Sequence, residues 1–531
     1  MTDQKPAAPG NDGPAAALYE RLKERRNSFL ARARECAKLT IPSLLTEEGS
    51  QAADLPQPWQ ALGARGVNNL SAKLLLTLLP ANGTFFRLVV DFAELKKQAE
   101  KLQLTDATEM KEKIEKQLSL IEQEVMKEME SQGIRPSAFE ALKHLLVAGN
   151  ILINSPKDGG LKVYHLDRFV IARDPMGNII HIVVKEDIAY QALPEGVQEM
   201  LANESTEGQE KMGSKPVTVY TCVERGDNHW VQYQEVKGIE IPGSRGNLPL
   251  EKGSWFAPRM IKVDGEDYGR SYVEEYIGDL RSLDALQEAV ISASAGAAKM
   301  VWRVDPACVS SADDLFKQPN GGAINARAGE IECIQANKNG DLNAATAAIE
   351  RISQQVSQAF LLNSSIQRSG ERVTAEEIRL MANELESALG GIYSLLSQEF
   401  QLPLVKRIMS QMERKNKLPK LPSNLVKPTI VTGIEALGRG NDLQKLQLFM
   451  QQITALTPEV AQRYIKPNVL LARIATALSL DIEGLIKTEE EIAGEMQQEQ
   501  AQSLIQQHAG EAMKLASQQG IDPNAPQGPQ A

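Results

Sequence analysis

Two helical patterns, at about 271–300 and 341–362, enclose a segment that cannot itself be one helix, and this constrains the fold more than any other feature. Ser271-Tyr-Val-Glu274 has the form of a capping box, in which a serine bonds the backbone three residues on and the glutamate returns the bond. Behind it Val273, Ile277, Leu280, Leu283, Leu286 and Val290 recur every three or four residues, the spacing of one helix face. The last turns of that pattern, from Ala289 to Ala298, are nearly all small, so this end is expected to lie close to a neighbouring helix. The intervening 301–340 contains Pro306, Pro319, Gly321-Gly322 and short β-like pieces. A second helix follows, with Ile349, Ile352, Val356 and Phe360 on one side. Two long helices and an excursion between them make a projecting unit, not a closed globule.

The rest of the chain supplies a body. A helix is expected over 14–41, with Leu18, Leu22, Phe29 and Leu30 along one face, and another from Trp59 to Leu79. Phe85–Phe92 alternates like a strand. Met110, Ile114, Leu118, Ile121, Val125 and Met129 mark a third helix, and about 137–148 a fourth, stopped by Gly149-Asn150. From 151 to about 264 short strands dominate, at 151–153, 162–165, 169–172, 179–184, 217–223 and 230–236, with Asp174-Pro-Met-Gly177 turning a hairpin. Thr374-Ala-Glu-Glu377 is a second capping box, opening a helix to about Lys415 that Gly390-Gly391 and Pro403 should bend. Thr429–Val431 is strand-like, 441 to about 516 is helical again, and 1–13 and 517–531 are expected to be disordered. The fold class is therefore α+β, predominantly helical.

Chemistry is sparse. No G-x-x-x-x-G-K-[ST], H-E-x-x-H, G-x-S-x-G or G-x-G-x-x-G occurs in the chain. Gly63-Ala-Arg-Gly66 lacks the Lys-Ser/Thr pair of a phosphate loop and reads as a helix turn with a close backbone approach. Gly438-Arg-Gly440 reads as a turn before a cap, and Glu274-Glu275 and Glu376-Glu377 as first-turn acids favoured by the helix dipole. The cysteines at 36, 222, 308 and 333 form no close pair, which disfavours a zinc knuckle or a disulfide framework. Five scattered histidines, at 144, 165, 181, 229 and 508, suggest no ligand set, so no metal, cofactor or catalytic residue is expected. No apolar run approaches a membrane span, and no leader is expected in the polar, Pro- and Gly-containing 1–13. The net charge of −11 is unusual for a protein that grips DNA, and suits one that lets DNA slide.

Several blocks carry a family likeness. They are Pro58-Trp-Gln-Ala-Leu-Gly-Ala-Arg-Gly-Val-Asn-Asn-Leu70, Phe139-Glu-Ala-Leu-Lys, Leu146-Val-Ala-Gly-Asn150, the dense run Asp264–Leu283, Gln367–Arg379, Leu389–Gln398 and Gly433–Gly440. In this order they resemble the portal (head-to-tail connector) proteins of short-tailed bacteriophages of the autographivirus type, from about residue 18 to about 495. The likeness is least at 301–340 and in the C-terminal tail.

The resemblance implies a portal fold of wing, stem, clip and crown, closing into a dodecameric ring around a channel. On that mapping 14–268 is the wing, 269–300 the first stem helix, 301–340 the clip and 341–362 the second stem helix. Residues 363–373 become a tunnel loop, 374–440 a bent helix and strand returning to the wing, and 441–516 the crown. It implies a channel for packaging and ejecting double-stranded DNA at one capsid vertex, in the virion, after assembly in the host cytoplasm. Implied partners are further copies of the chain, the terminase large subunit, the tail adaptor and tail proteins, major capsid and scaffolding proteins, and internal core proteins. No enzyme activity, cofactor or membrane is implied. Arg368, Glu371 and Arg372 become rings of charge in the tunnel loop, although without the resemblance they read as a solvated connection.

Simple geometry is compatible with this. A helix of about thirty residues spans ~45 Å. Twelve helices spaced ~10 Å apart make a ring ~38 Å across its axes, leaving roughly 28 Å for a duplex about 20 Å wide. Two rival readings make different demands. A packaging enzyme needs an ATP site, and a scaffold should lack the strand-rich 151–264.

Overall fold

The computed structural model describes residues 13–47, 55–80, 84–90, 107–204, 216–297, 301–306, 308, 310–319, 322–334, 339–362, 385, 388–419, 426–430 and 451. The chain divides into two compact units, Met1–Ala436 and Leu437–Ala531, and apart from Gln451 the described residues belong to the first. The expected crown at 441–516 (Gln451 aside), the tail at 517–531, the loop at 363–373, the second capping box and residues 1–12 lie outside them.

Helix α1 (Pro14–Lys38) buries Tyr19, Leu22, Leu30, Ala33 and Ala37 on one stripe. Leu18 and Phe29, expected on the same face, are only half-buried. Its first turn has no side-chain cap of its own. A carboxylate from elsewhere does that work: Glu235 accepts from the amides of Ala15 (2.9 Å) and Ala16 (3.3 Å). An acid at a helix N-terminus satisfies free amides and complements the dipole.

Helix α2 (Leu62–Leu78) begins three residues later than expected, and Trp59 stays outside it, half exposed. Helices α3 (Ala107–Ser131) and α4 (Ile134–Ala148) follow, and α4 ends where Gly149 takes φ +73°. A side chain at Gly149 would also stand 2.5 Å from the Arg270 carbonyl carbon, so both the turn and the packing require glycine there.

The strands form small antiparallel sheets. In the largest, β4 (Phe169–Arg173), β5 (Ile179–Ala189), β6 (Pro216–Arg225), β7 (His229–Val236) and β8 (Ile239–Glu240) are ordered as in sequence, and β9 (Gly246–Pro249) also pairs with β7. The β4–β5 turn is the expected one: Gly177 has φ +88° and Asp174 accepts from the Asn178 amide at 2.7 Å. A three-stranded sheet joins β10 (Trp255–Phe256), β2 (Leu152–Asn154) and β3 (Lys162–Tyr164). Helix α5 (Glu195–Glu204) and the short strands β8, β9 and β10 were not foreseen from the sequence. Their runs are too short for a periodicity to show. One core runs through this body, from α1, α2 and α4 to the C-terminal helices.

The helix expected to start at Ser271 does start there, with Ser271 Oγ accepting from the Glu274 amide at 3.2 Å. Two details differ. Glu274 does not return the bond but faces Arg32 (3.2 Å) and Arg270 (3.6 Å), because two guanidinium groups stabilise a carboxylate more than one amide does. The helix also breaks at Tyr276, separating α6 (Tyr272–Glu275) from α7 (Ile277–Ala297). The reciprocal capping box occurs instead at Ser311/Asp314, at the start of α8 (Ala312–Lys317). Helix α8 lies between β11 (Val301–Val304) and β12 (Ile331–Ile334), which pair with each other, and α9 (Asn339–Ala359) follows.

Gly390 breaks the C-terminal helix as expected, and α10 (Gly391–Leu396) starts beyond it. Pro403 sits in the first turn of α11 (Leu402–Arg414), and a π turn over Ser397–Gln401 absorbs the hydrogen bond that proline cannot make. Arg407 and Gln411 of α11 bond the 155–156 loop, with Arg407 Nε 3.0 Å from the Ser155 carbonyl. Strand β13 (Val426–Ile430) then pairs with β1 (Phe86–Val90), which brings the chain back to its first half.

Candidate functional site

The candidate site is the base of the α7/α9 pair, where the chain leaves α9 for the loop holding Arg368, Glu371 and Arg372. Those three residues lie outside the described residues. What holds the loop's starting point is described in full.

Leu361 has φ +53° and the Leu362 amide reaches back to the Ser357 carbonyl at 2.8 Å, so α9 ends in a Schellman-type turn. A leucine there costs strain that a glycine would not. The turn is held by its surroundings. Asn69 Nδ2 donates to the carbonyls of Phe360 and Leu361, each at 3.1 Å, and Lys73 Nζ donates to Leu361 at 2.9 Å. The otherwise unsatisfied carbonyls and the negative end of the helix dipole thus meet an amide and a cation from α2. Tyr272 Oη donates to the Ala359 carbonyl at 2.8 Å.

Beneath this turn the fully buried Phe360 ring lies edge-on to Tyr272 at 5.7 Å and near Tyr276 at 5.8 Å. Helix α2 comes close enough that a side chain at Gly66 would stand 2.7 Å from the Phe360 ring. The Gly63–Gly66 turn is the close approach expected from the sequence: a side chain at Gly63 would meet the Leu39 carbonyl at 2.5 Å. Asn69 and Lys73 were not singled out in the sequence. They sit four apart on α2, which alone does not separate a capping pair from a polar helix face.

The next connection lies behind α6. Asn150, buried, donates to the Gly269 carbonyl at 2.8 Å and accepts from the Gly269 amide at 2.6 Å. Ser271 Oγ also donates to the Leu146 carbonyl at 2.8 Å. The two sequence blocks Leu146–Asn150 and Asp264–Leu283 are therefore interlocked at the root of α6 and α7. Close by, buried Arg259 pairs with Glu399 of the π turn, its amide 2.9 Å from Oε2, and burial, followed by the charge of Arg259, pushes the neighbouring Arg173 guanidinium down to about 10.

Away from this base the character changes. Leu280, Leu283 and Val356 are buried, whereas Ala289, Ser292, Ser294, Ala295 and Gly296 are exposed. The charged residues of α7 and α9 are Asp279, Arg281, Asp284, Glu288, Asp341, Glu350 and Arg351, five acids against two bases. Among the described residues of 301–334 none is buried; Trp302 is 38% exposed and Phe316 73%. Among the described residues, no helix is long and apolar enough to cross a membrane.

Comparison with known proteins agrees with this architecture of body, helix pair and coreless excursion. Residues 13–486 match the family described as bacteriophage head to tail connecting protein. The chain is 42% identical over 518 residues to the portal protein of Enterobacteria phage T3, covering 96% of this chain and 94% of that one. It is 40% identical over 520 residues to the portal protein of Escherichia phage T7, covering 96% and 95%. Among solved structures, the neck of a native gene transfer agent particle aligns with 79% of this chain and 90% of that one, at TM-score 0.34 and 11% identity. The chain belongs to the bacteriophage head-to-tail connecting proteins, the portal proteins of podoviruses.

Proposed function

We propose that twelve copies of the chain close into a ring whose channel carries double-stranded DNA into the phage head during packaging and out during ejection. The observation that carries this reading is the excursion: 301–334 is folded and capped, yet none of its described residues is buried. A folded segment with Trp302 and Phe316 exposed and no core of its own needs cover from other chains. The exposed small side chains at the far end of α7 let a neighbouring helix approach. Heterologous contacts of this kind generate a ring when the rotation closes.

On this reading 14–268 is the wing, 269–300 and 341–362 the stem, 301–340 the clip, 374–440 a return to the wing and 441–516 the crown. The clip meets the terminase large subunit during packaging and the tail adaptor afterwards. Capsid, scaffolding and internal core proteins meet the head side. The excess of acids on α7 and α9 suits a channel that does not retain DNA by its walls. Arg368, Glu371 and Arg372 supply the stacked charges of the tunnel loop, where twelve copies act together. The role is structural, with no reaction catalysed.

End-on electron-microscopy class averages of the purified protein, with native mass spectrometry, test the ring. Closed rings of about twelve subunits are expected, and thirteen-fold by-products of overexpression are compatible. A stable monomer or dimer at micromolar concentration would overturn the reading.

A further inference from the structure

The five histidines look unrelated in sequence, but folding brings two of them together. Glu140 and His144 stand one turn apart on α4, and His165 opens the tight turn from β3 to β4. One ligating atom from each of the three lies within 4.8 Å of the others. The His144 and His165 rings stack at 4.9 Å with an 8° tilt.

Three observations separate this cluster from a chance meeting of polar side chains. His144 is only 3% exposed, and among the described residues neither of its ring nitrogens has a hydrogen-bond partner. A buried polar group without a partner is costly, and native structures rarely leave one. Next, Asp167 Oδ1 is buried without a hydrogen-bond partner and lies 3.5 Å from His165 Nδ1. A carboxylate facing one imidazole nitrogen fixes the proton there and leaves the other as a lone-pair donor, the usual second layer around a metal-bound histidine. Finally, the turn is already held in place. Its Asp167 carbonyl accepts from Arg26 at 2.6 Å and from Tyr19 Oη at 3.2 Å.

We propose that Glu140, His144 and His165 form a binding site for a zinc-class divalent ion, with Asp167 orienting His165. Two imidazoles and one carboxylate are the donors of a four-coordinate zinc site whose fourth position takes water. Magnesium and calcium, which take mainly oxygen ligands, fit poorly. Bond lengths near 2.0–2.1 Å place tetrahedral ligands about 3.3 Å apart. The cluster must therefore contract by roughly 1.5 Å from its widest spacing. Exposed Glu140 can swing inward, and the stacked rings turn about their soft second torsion so that their lone pairs converge. Burial, and then the neighbouring His165, push the His144 imidazole down to about 4, so it is a neutral donor at ordinary pH. The ion would tie α4 to the β3–β4 turn, adding a cross-link within the body.

The test is zinc uptake by the tag-free, full-length ring, measured by equilibrium dialysis against a competing chelator with elemental analysis. One equivalent per chain is expected, with no comparable uptake of magnesium. Glu140→Gln should weaken binding at least tenfold, His165→Ala about a hundredfold and Asp167→Asn about tenfold, whereas His229→Ala should change nothing. Cobalt substitution should give the visible bands of a four-coordinate site, which His165→Ala loses. Because Glu140 is exposed, its glutamine variant keeps the fold and decides the matter even if a histidine variant does not. Absence of stoichiometric uptake, or equal uptake by wild type, Glu140→Gln and His165→Ala, would overturn the proposal.

Discussion

The base of the helix pair and its tip are built on opposite terms. At the base, Phe360 and Val356 are fully buried, α9 is capped from α2, and Asn150 and Ser271 lock neighbouring backbone together. At the tip, β11, β12 and α8 have regular hydrogen bonds and a complete capping box but no buried residue among those described. Local backbone bonding thus suffices to shape a segment, while burial of apolar area makes it stable. The base is a fold in its own right. The tip is half of an interface.

The sharpest way to break this contrast is to remove the ring on which the base is built. Phe360→Ala empties a fully buried aromatic site against Gly66, Tyr272 and Tyr276, and should cost about 3–5 kcal/mol in denaturant unfolding. A loss below about 1 kcal/mol would mean that the base is not a packed core. Next in size is Asn150→Ala, which strands the backbone groups of Gly269 in a buried setting and should cost about 1–3 kcal/mol by the same measurement.

A smaller, pH-dependent effect comes from Glu128 on α3. Hydrogen bonds from Lys417, and then Gln132, hold its carboxyl below the usual glutamate range. The folded-state value lies under the unfolded one, so the stabilisation is present at neutral pH and is lost as pH falls through the ordinary carboxylate range and below it. Glu128→Gln should therefore reduce stability at pH 7 and make little difference once the carboxyl is protonated. Equal losses at pH 7 and in acid would rule out the ionic contribution.

At the tip the expected effect on unfolding is smaller again. Trp302→Ala with Phe316→Ala should change subunit stability by no more than about 0.5 kcal/mol, yet weaken ring assembly or partner docking, read by native mass spectrometry. Substantial destabilisation of the isolated subunit would show that the tip contributes to a core after all. The least effect on folding belongs to Arg368→Ala with Arg372→Ala, since an exposed pair contributes only ~0.2–1 kcal/mol. That double variant should form normal rings and proheads but package or retain the genome poorly. Full-length DNA at wild-type yield would reduce the loop to a connection, and failure to form rings would give these residues a role in folding.

Much of the architecture was legible in local pattern. The apolar spacing at 271–300 and 341–362, the Gly149 stop, the Asp174–Gly177 turn and the break at Gly390 each state a backbone preference within a few residues. Such signals survive in an isolated segment, because they arise from side-chain periodicity and from which residues tolerate a positive φ. What tertiary structure alone decided is the set of polar pairings between distant segments: Glu235 on the first turn of α1, Asn69 and Lys73 on the end of α9, Asn150 on Gly269, Arg259 on Glu399, and His144 against His165. In sequence each of these is one polar residue on a helix or in a loop, indistinguishable from a solvated one. Only when the chain closes do burial and a partner at hydrogen-bonding distance give it a strong energetic role, because an unpaired polar group that water could satisfy costs little outside the core and much within it.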